Sequence, residues 1–163
     1  MNHTVDTPTF LPSSNPRVPK AEQPFRHCMP MQIRFTDIDM MGHLNNNVYL
    51  TFMDLAKIDY FTTLRPGEVD MNNLNMVVVH IDVDFYHPTF FGQEVDVWTT
   101  VTSVGHRSLH MEQRVVDRHS GETKCIGRVV MAGFDRHTNT SLPIADEWVE
   151  ALQRYELRPF PRR

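Results

Sequence analysis

Apolar residues change their spacing once along this chain, and the change marks its architecture. Between Asn46 and Leu64 they recur at helical intervals. At about 100° per residue, Val48, Tyr49, Phe52, Met53, Leu55, Ala56, Tyr60 and Leu64 share one broad arc. Leu50, Ile58 and Phe61 intrude on the other half, among Thr51, Asp54, Lys57 and Thr62. A helix this apolar is expected to be largely enclosed rather than laid on a surface. Asn45 or Asn46 is suited to cap its first N–H groups, and Pro66-Gly67 marks the region of its end. Beyond it the period falls to two. In 76–87, Val77, Val79, Ile81, Val83 and Phe85 alternate with Val78, His80, Asp82, Asp84 and Tyr86, and in 94–104 Val95, Val97, Thr99 and Val101 do the same. Two more strand-like runs, 107–117 and 123–135, flank a hairpin loop at Arg118-His119-Ser120-Gly121-Glu122. A shorter strand over 28–36 precedes the helix, and Pro143 opens a final helix over 144–155.

One long helix followed by four long strands predicts an α+β fold: a single antiparallel sheet curled around one buried helix. At 163 residues the chain is sized for one domain with a substantial core. Residues 1–24 carry Pro8, Pro12, Pro16, Pro19 and Pro24 with little periodicity and read as a flexible tail, so the ordered domain is expected over 25–163.

Composition narrows the partners. A net charge of −4 leaves no basic field for nucleic acid. No apolar run approaches the roughly 20 residues of a membrane span, and the N-terminus lacks a signal-peptide pattern, which makes the cytoplasm the default location. Cys28 and Cys125 are too few for a disulfide framework or a zinc site.

The densest chemistry sits just ahead of the helix. Within 37–47 lie Asp37, Asp39, Gly42, His43, Asn45, Asn46 and Asn47. A carboxylate and an imidazole in that place supply a general base and an electrophilic contact for an acyl group, and the helix's first N–H groups favour developing negative charge. An Asp in a turn is by itself more often a solvated or capping residue. Asp37 reads as such a brace, and Asn46 and Asn47 as capping residues. Other histidines carry less. His106 and His110 have the spacing of a helical metal pair, but in a strand they stand about 13 Å apart. His80, Asp82 and Asp84 alternate along one strand face, a solvent or subunit face rather than a metal site. Tyr86, His87 and Ser108 are candidates for a pocket wall or for packing. Arg107, Arg114, Arg118 and Arg128 either meet nucleotide phosphates or form a solvated face. No G-x-S-x-G elbow is present, and neither cysteine sits in a nucleophile's setting.

The string D-x-D-x-x-G-H-x-N-N-x-x-Y, from Asp37 to Tyr49, resembles the start of the central helix in the hotdog-fold acyl thioesterases, the group of 4-hydroxybenzoyl-CoA thioesterase-like and acyl-ACP thioesterase-like enzymes. Residues 80–108 are similar to that family's second and third strands, with P-x-x-x-G-x-x-V from Pro88 to Val95 and G-x-x-S from Gly105 to Ser108. The resemblance implies a sheet wrapped around a long central helix, and dimers, or tetramers of paired dimers, with sites at the subunit interface. It also implies hydrolysis of an acyl-CoA or acyl-ACP thioester without metal or organic cofactor. Asp39 falls at the family's catalytic carboxylate, as general base or nucleophile. His43 would orient it or polarise the carbonyl, and Gly42, Leu44, Asn45 and Asn46 would form the oxyanion and substrate-binding stretch. One departure stands out: the plant acyl-ACP thioesterases place an asparagine two positions after the acid, where this chain has Met41. Two alternatives remain open, a hotdog enoyl-thioester hydratase and a non-enzymatic acyl-thioester binding module. The hydratase signature has Asn-Pro between acid and histidine, where Met40-Met41-Gly42 stands here.

Overall fold

A computed structural model describes residues 9–70 and 73–162. Its elements are β1 (His27–Met31), a 3-10 turn (Phe35–Asp37), α1 (Asn46–Leu64), β2 (Met76–Phe85), β3 (Val95–Val104), β4 (Ser108–Asp117), β5 (Thr123–Asp135), β6 (Thr140–Ser141) and α2 (Asp146–Glu156). One antiparallel sheet runs in the order β1-β3-β4-β5-β2, with β6 paired to β5. The helix and the four later strands lie where the spacing puts them. β1 is shorter than the expected 28–36, since after Met31 the chain leaves the sheet for the turn at Phe35–Asp37. Pro30 is tolerated within β1 because this is an edge strand, bound among the described residues to β3 alone.

Helix α1 lies on the inner face of the sheet and buries Tyr49, Phe52, Met53, Ala56, Tyr60, Phe61 and Leu64. Its approach is close. A Cβ at Gly127 on β5 would stand 2.5 Å from the Met53 sulfur, so the absent side chain is what admits the helix. The buried Gln113 amide on β4 fixes the same level, donating to the Met53 carbonyl at 2.8 Å and to Thr99 Oγ1 at 3.2 Å. Around the helix's first half, Leu44, Tyr49, Phe52 and Met53 pack with Val95, Val97, Val115 and Cys125. Around its second half, Tyr60, Phe61 and Leu64 pack with Val101, Met111, Val129 and the α2 residues Trp148 and Leu152. Burial of each such large side chain contributes roughly 1.5–3 kcal/mol.

Enclosure of α1 is one-sided. Phe61, on the outer half by helical spacing, is buried because α2 closes over it, with the Trp148 ring 5.4 Å away. Leu55, on the expected inner arc, is 51% exposed, and Ile58 is 46% exposed. These open positions belong to the same exposed apolar surface class as Val77, Val78, Val79, Ile81 and Phe85 of β2, the other edge strand.

The N-terminal segment 1–24, read from its prolines as a flexible tail, makes contacts with the sheet over part of its length. Residues 1–8 lie outside the described residues, but the chain from Phe10 onward packs on the sheet's outer face. Phe10 contacts the rings of Phe25 and Trp98 at 4.7 and 5.5 Å, Val18 is buried, and Arg114 donates to the Pro19 carbonyl at 2.9 Å. Prolines keep this stretch out of ladder pairing and erase any period, but two well-placed apolar anchors suffice to dock it. Among the described residues no helix is long and apolar enough to cross a membrane.

Candidate active site

The chain from Ile38 to Leu44 folds into a miniature hairpin whose ends meet as an antiparallel bridge. Asp39 N–H donates to the His43 carbonyl at 3.1 Å, and Gly42 N–H to the Asp39 carbonyl at 3.0 Å. Gly42 closes the turn at φ +82°, a conformation that glycine adopts without steric cost. The Asp39 carboxylate accepts the Met41 N–H at 2.9 Å through Oδ1, and among the described residues Oδ2 has no partner. Asp39 is half-buried and opens this turn, with Met40 and Met41 at its tip.

Asp37 has a different role. Its buried carboxylate accepts the Arg34 backbone N–H at 2.8 Å and the Arg34 guanidinium at 2.9 and 3.3 Å, while its carbonyl accepts Asn45 N–H at 2.9 Å. The hydrogen-bonded guanidinium holds this carboxyl below its ordinary value. It ties the turn to the helix start, as its reading as a brace requires.

Asn45 caps α1, its Oδ1 accepting Asn47 N–H at 2.9 Å. The 86–91 loop is docked against this start. Leu44 N–H donates to the Thr89 carbonyl at 2.7 Å, and the Tyr49 hydroxyl donates to Thr89 Oγ1 at 2.8 Å in full burial. Burial pushes the Tyr49 hydroxyl above its ordinary value, which keeps it a neutral donor. Between loop and helix lies a hollow of about 210 Å³, lined by His43, Leu44, Asn46, Tyr49, Phe85, Tyr86, His87 and Pro88. The Phe90 ring stands edge-on to His43 at 6.4 Å.

Of the residues singled out in the sequence, His43, Leu44 and Asn46 share the wall of this hollow, and Asp39 sits beside it, joined through its N–H to His43. Gly42 shapes the turn. The N–H groups of Gly42, Leu44 and Asn45 are engaged with the carbonyls of Asp39, Thr89 and Asp37, whereas those of His43 and Asn46 have no partner among the described residues. Thr89 is a neighbour of the helix start that sequence reasoning did not single out; a lone threonine after a strand carries no distinguishing pattern. Burial raises both thiols, Cys28 and Cys125, to about 12, so neither is a nucleophile near neutrality. Among the described residues no three His, Cys, Asp or Glu side chains gather as a metal site.

A long helix packed on the inner face of one antiparallel sheet is the hotdog fold. The sequence matches the thioesterase-like superfamily over residues 33–152, and the chain belongs to that family, whose general chemistry is thioester hydrolysis. A thioesterase from Thermus thermophilus, solved with coenzyme A and zinc, is 31% identical; the match covers 83% of this chain and 98% of that one, with a TM-score of 0.75. The uncharacterized protein YsmA of Bacillus subtilis is 25% identical over 122 residues, 75% of this chain and 82% of its own length. A 1,4-dihydroxy-2-naphthoyl-CoA thioesterase from Synechocystis shares the fold at 16% identity, covering 77% of this chain and 94% of its own, with a TM-score of 0.69.

Proposed function

We propose that this protein hydrolyses an acyl-CoA thioester, with Asp39 as the catalytic carboxylate. The observation that carries this reading is the split environment of that side chain. One oxygen is pinned by the Met41 N–H, the other is left for a water molecule, and the helix start lies beside it. Asp39 takes a proton from water as the hydroxide adds to the thioester carbonyl. The resulting oxyanion is met by the N–H groups of His43 and Asn46, the two at this helix start without an intrachain partner among the described residues. One such contact is typically worth about 3–4 kcal/mol in the transition state. Collapse breaks the carbon–sulfur bond, and the proton held by Asp39 passes to the departing thiolate. Direct attack by Asp39, giving a mixed anhydride that water then cleaves, uses the same groups. The His43 imidazole polarises the carbonyl, while Tyr49, Phe85 and Tyr86 wall the acyl group.

Coenzyme A is the favoured carrier because the relative at 31% identity was solved with it. The working unit is a symmetric dimer, since β2 presents an unpaired edge with Val78, Val79 and Ile81 exposed. The test is release of free thiol across a panel of aliphatic and aromatic acyl-CoAs, beside hydration of crotonyl-CoA. Thiol release supports the reading, hydration without it indicates a hydratase, and binding with neither indicates a sensor module.

A further inference from the structure

Outside the family match at 33–152, and unused by the mechanism, the segment 10–19 packs across the sheet's outer face. It is fastened at both ends. At the first, Phe10 seats against Phe25 and Trp98, with the Arg114 guanidinium 5.9 Å from its ring. Beside it the Leu11 Cβ lies 3.2 Å from where a Gly121 side chain would begin, so Gly121, at φ +73°, leaves its seat open. At the second, Val18 is buried and Arg114 holds the Pro19 carbonyl.

Between these anchors the chain turns, and the turn reaches the site. Val18 N–H donates to the Asn15 carbonyl at 3.1 Å, and Arg17 N–H to Asn15 Oδ1 at 3.0 Å. The second bond orients the amide: with Oδ1 engaged, Nδ2 faces His87 Nε2 at 3.0 Å. The strap's amide thus stands against one nitrogen of the His87 ring and limits how the ring can turn. Glu122 Oε1 lies 2.9 Å from the same nitrogen, while its other oxygen takes Lys124 Nζ at 3.0 Å. Arg17 adds a bond to the Tyr86 carbonyl at 3.4 Å. Tyr86 and His87 are consecutive residues of the hollow that His43 and Asn46 also line.

We propose that segment 10–19 is a positioning strap for the thioester site, acting through Asn15 and Arg17 on His87 and Tyr86. It sets the orientation of the His87 ring and thereby the fit of the acyl group in the hollow. The proposal rests on the thioesterase reading above.

The experiment uses the full chain carrying Asn15→Ala or Asn15→Asp, with the Phe10 anchor left in place. Long-range proton–nitrogen spectra should show the His87 ring signals shifted in Asn15→Ala relative to the wild type. Asn15→Asp, which keeps an acceptor for the Arg17 N–H but loses the amide donor, should shift them as well. Against acyl-CoAs of graded length, Asn15→Ala should raise KM about five-fold with kcat within about twofold, the equivalent of one lost positioning hydrogen bond of roughly 1 kcal/mol. His87 ring signals unchanged by the loss of the Asn15 amide would overturn the proposal. So would an Asn15→Ala protein with unchanged KM and unchanged length preference, in a wild-type background that hydrolyses thioesters and depends on Asp39. A wild type that hydrolyses no thioester overturns the function reading and the strap's role in the site together, a pattern distinct from failure of the strap alone.

Discussion

Asp37→Asn separates support of the catalytic turn from chemistry within it. The Asp37 carboxylate receives one backbone N–H and two guanidinium contacts, all from Arg34, and is 3% exposed, whereas the Arg34 side chain is 67% exposed. The backbone bond resembles a capping interaction, worth about 1 kcal/mol. The guanidinium contacts, open to solvent on one side, add about 0.5–1 kcal/mol. An asparagine keeps one acceptor but turns an NH2 group toward donors. The expected loss is therefore about 2 kcal/mol, or about 4–8 °C in Tm for a chain of this size. The dependence on pH has a definite sign. Because the folded carboxyl lies below its ordinary value, its contribution is complete above the unfolded value of about 3.9 and is lost as pH falls through the folded one. Thermal unfolding followed by circular dichroism should show the wild type and Asp37→Asn fully separated near neutrality and converging below about pH 4. Thiol release by the variant should stay within a few-fold of wild type once folded. A gap under about 0.5 kcal/mol at neutral pH, or one that persists undiminished into acid, would refute the bracing role.

Glu156 gives the opposite dependence. It is buried, accepts the Tyr60 hydroxyl, and burial raises its carboxyl above its ordinary value. It therefore withdraws stability as pH rises from the unfolded value of about 4.3 through the folded one, and Glu156→Gln should flatten that part of the Tm-against-pH curve; an unaltered curve rejects this. Gly127→Ala should cost about 1–3 kcal/mol in denaturant unfolding by driving a methyl group into Met53, and Met53→Ala in the same chain should recover part of it; strictly additive costs would show the two do not meet. Light scattering at micromolar concentration should report a dimer that Val79→Lys on the β2 edge dissociates, whereas a fully active wild-type monomer would contradict the interface.

Much of this was legible because one physical signal dominated each element. The switch from helical to alternating spacing located α1 and the four long strands, and Asn45 marked the helix start through its side-chain oxygen. What escaped was decided by tertiary contact. Phe61 is buried only because Trp148 of α2, far along the chain, covers it, and Leu55 is exposed because no described element of the same chain does. The N-terminal segment has no period to read, since its docking depends on isolated contacts of Phe10, Asn15 and Val18. Within the site, residue types identified the turn, but the engagement of the Leu44 N–H depends on Thr89, a loop residue distant in sequence from the motif.

The central claim stands or falls on Asp39. Asp39→Asn retains the size of the side chain and an acceptor for the Met41 N–H, and removes the base. Measured as thiol release under saturating acyl-CoA, the account predicts a fall in kcat of about a hundredfold or more, in line with general-base catalysis, with acyl-CoA affinity and Tm nearly unchanged. A folded Asp39→Asn protein that turns over at close to the wild-type rate would contradict it.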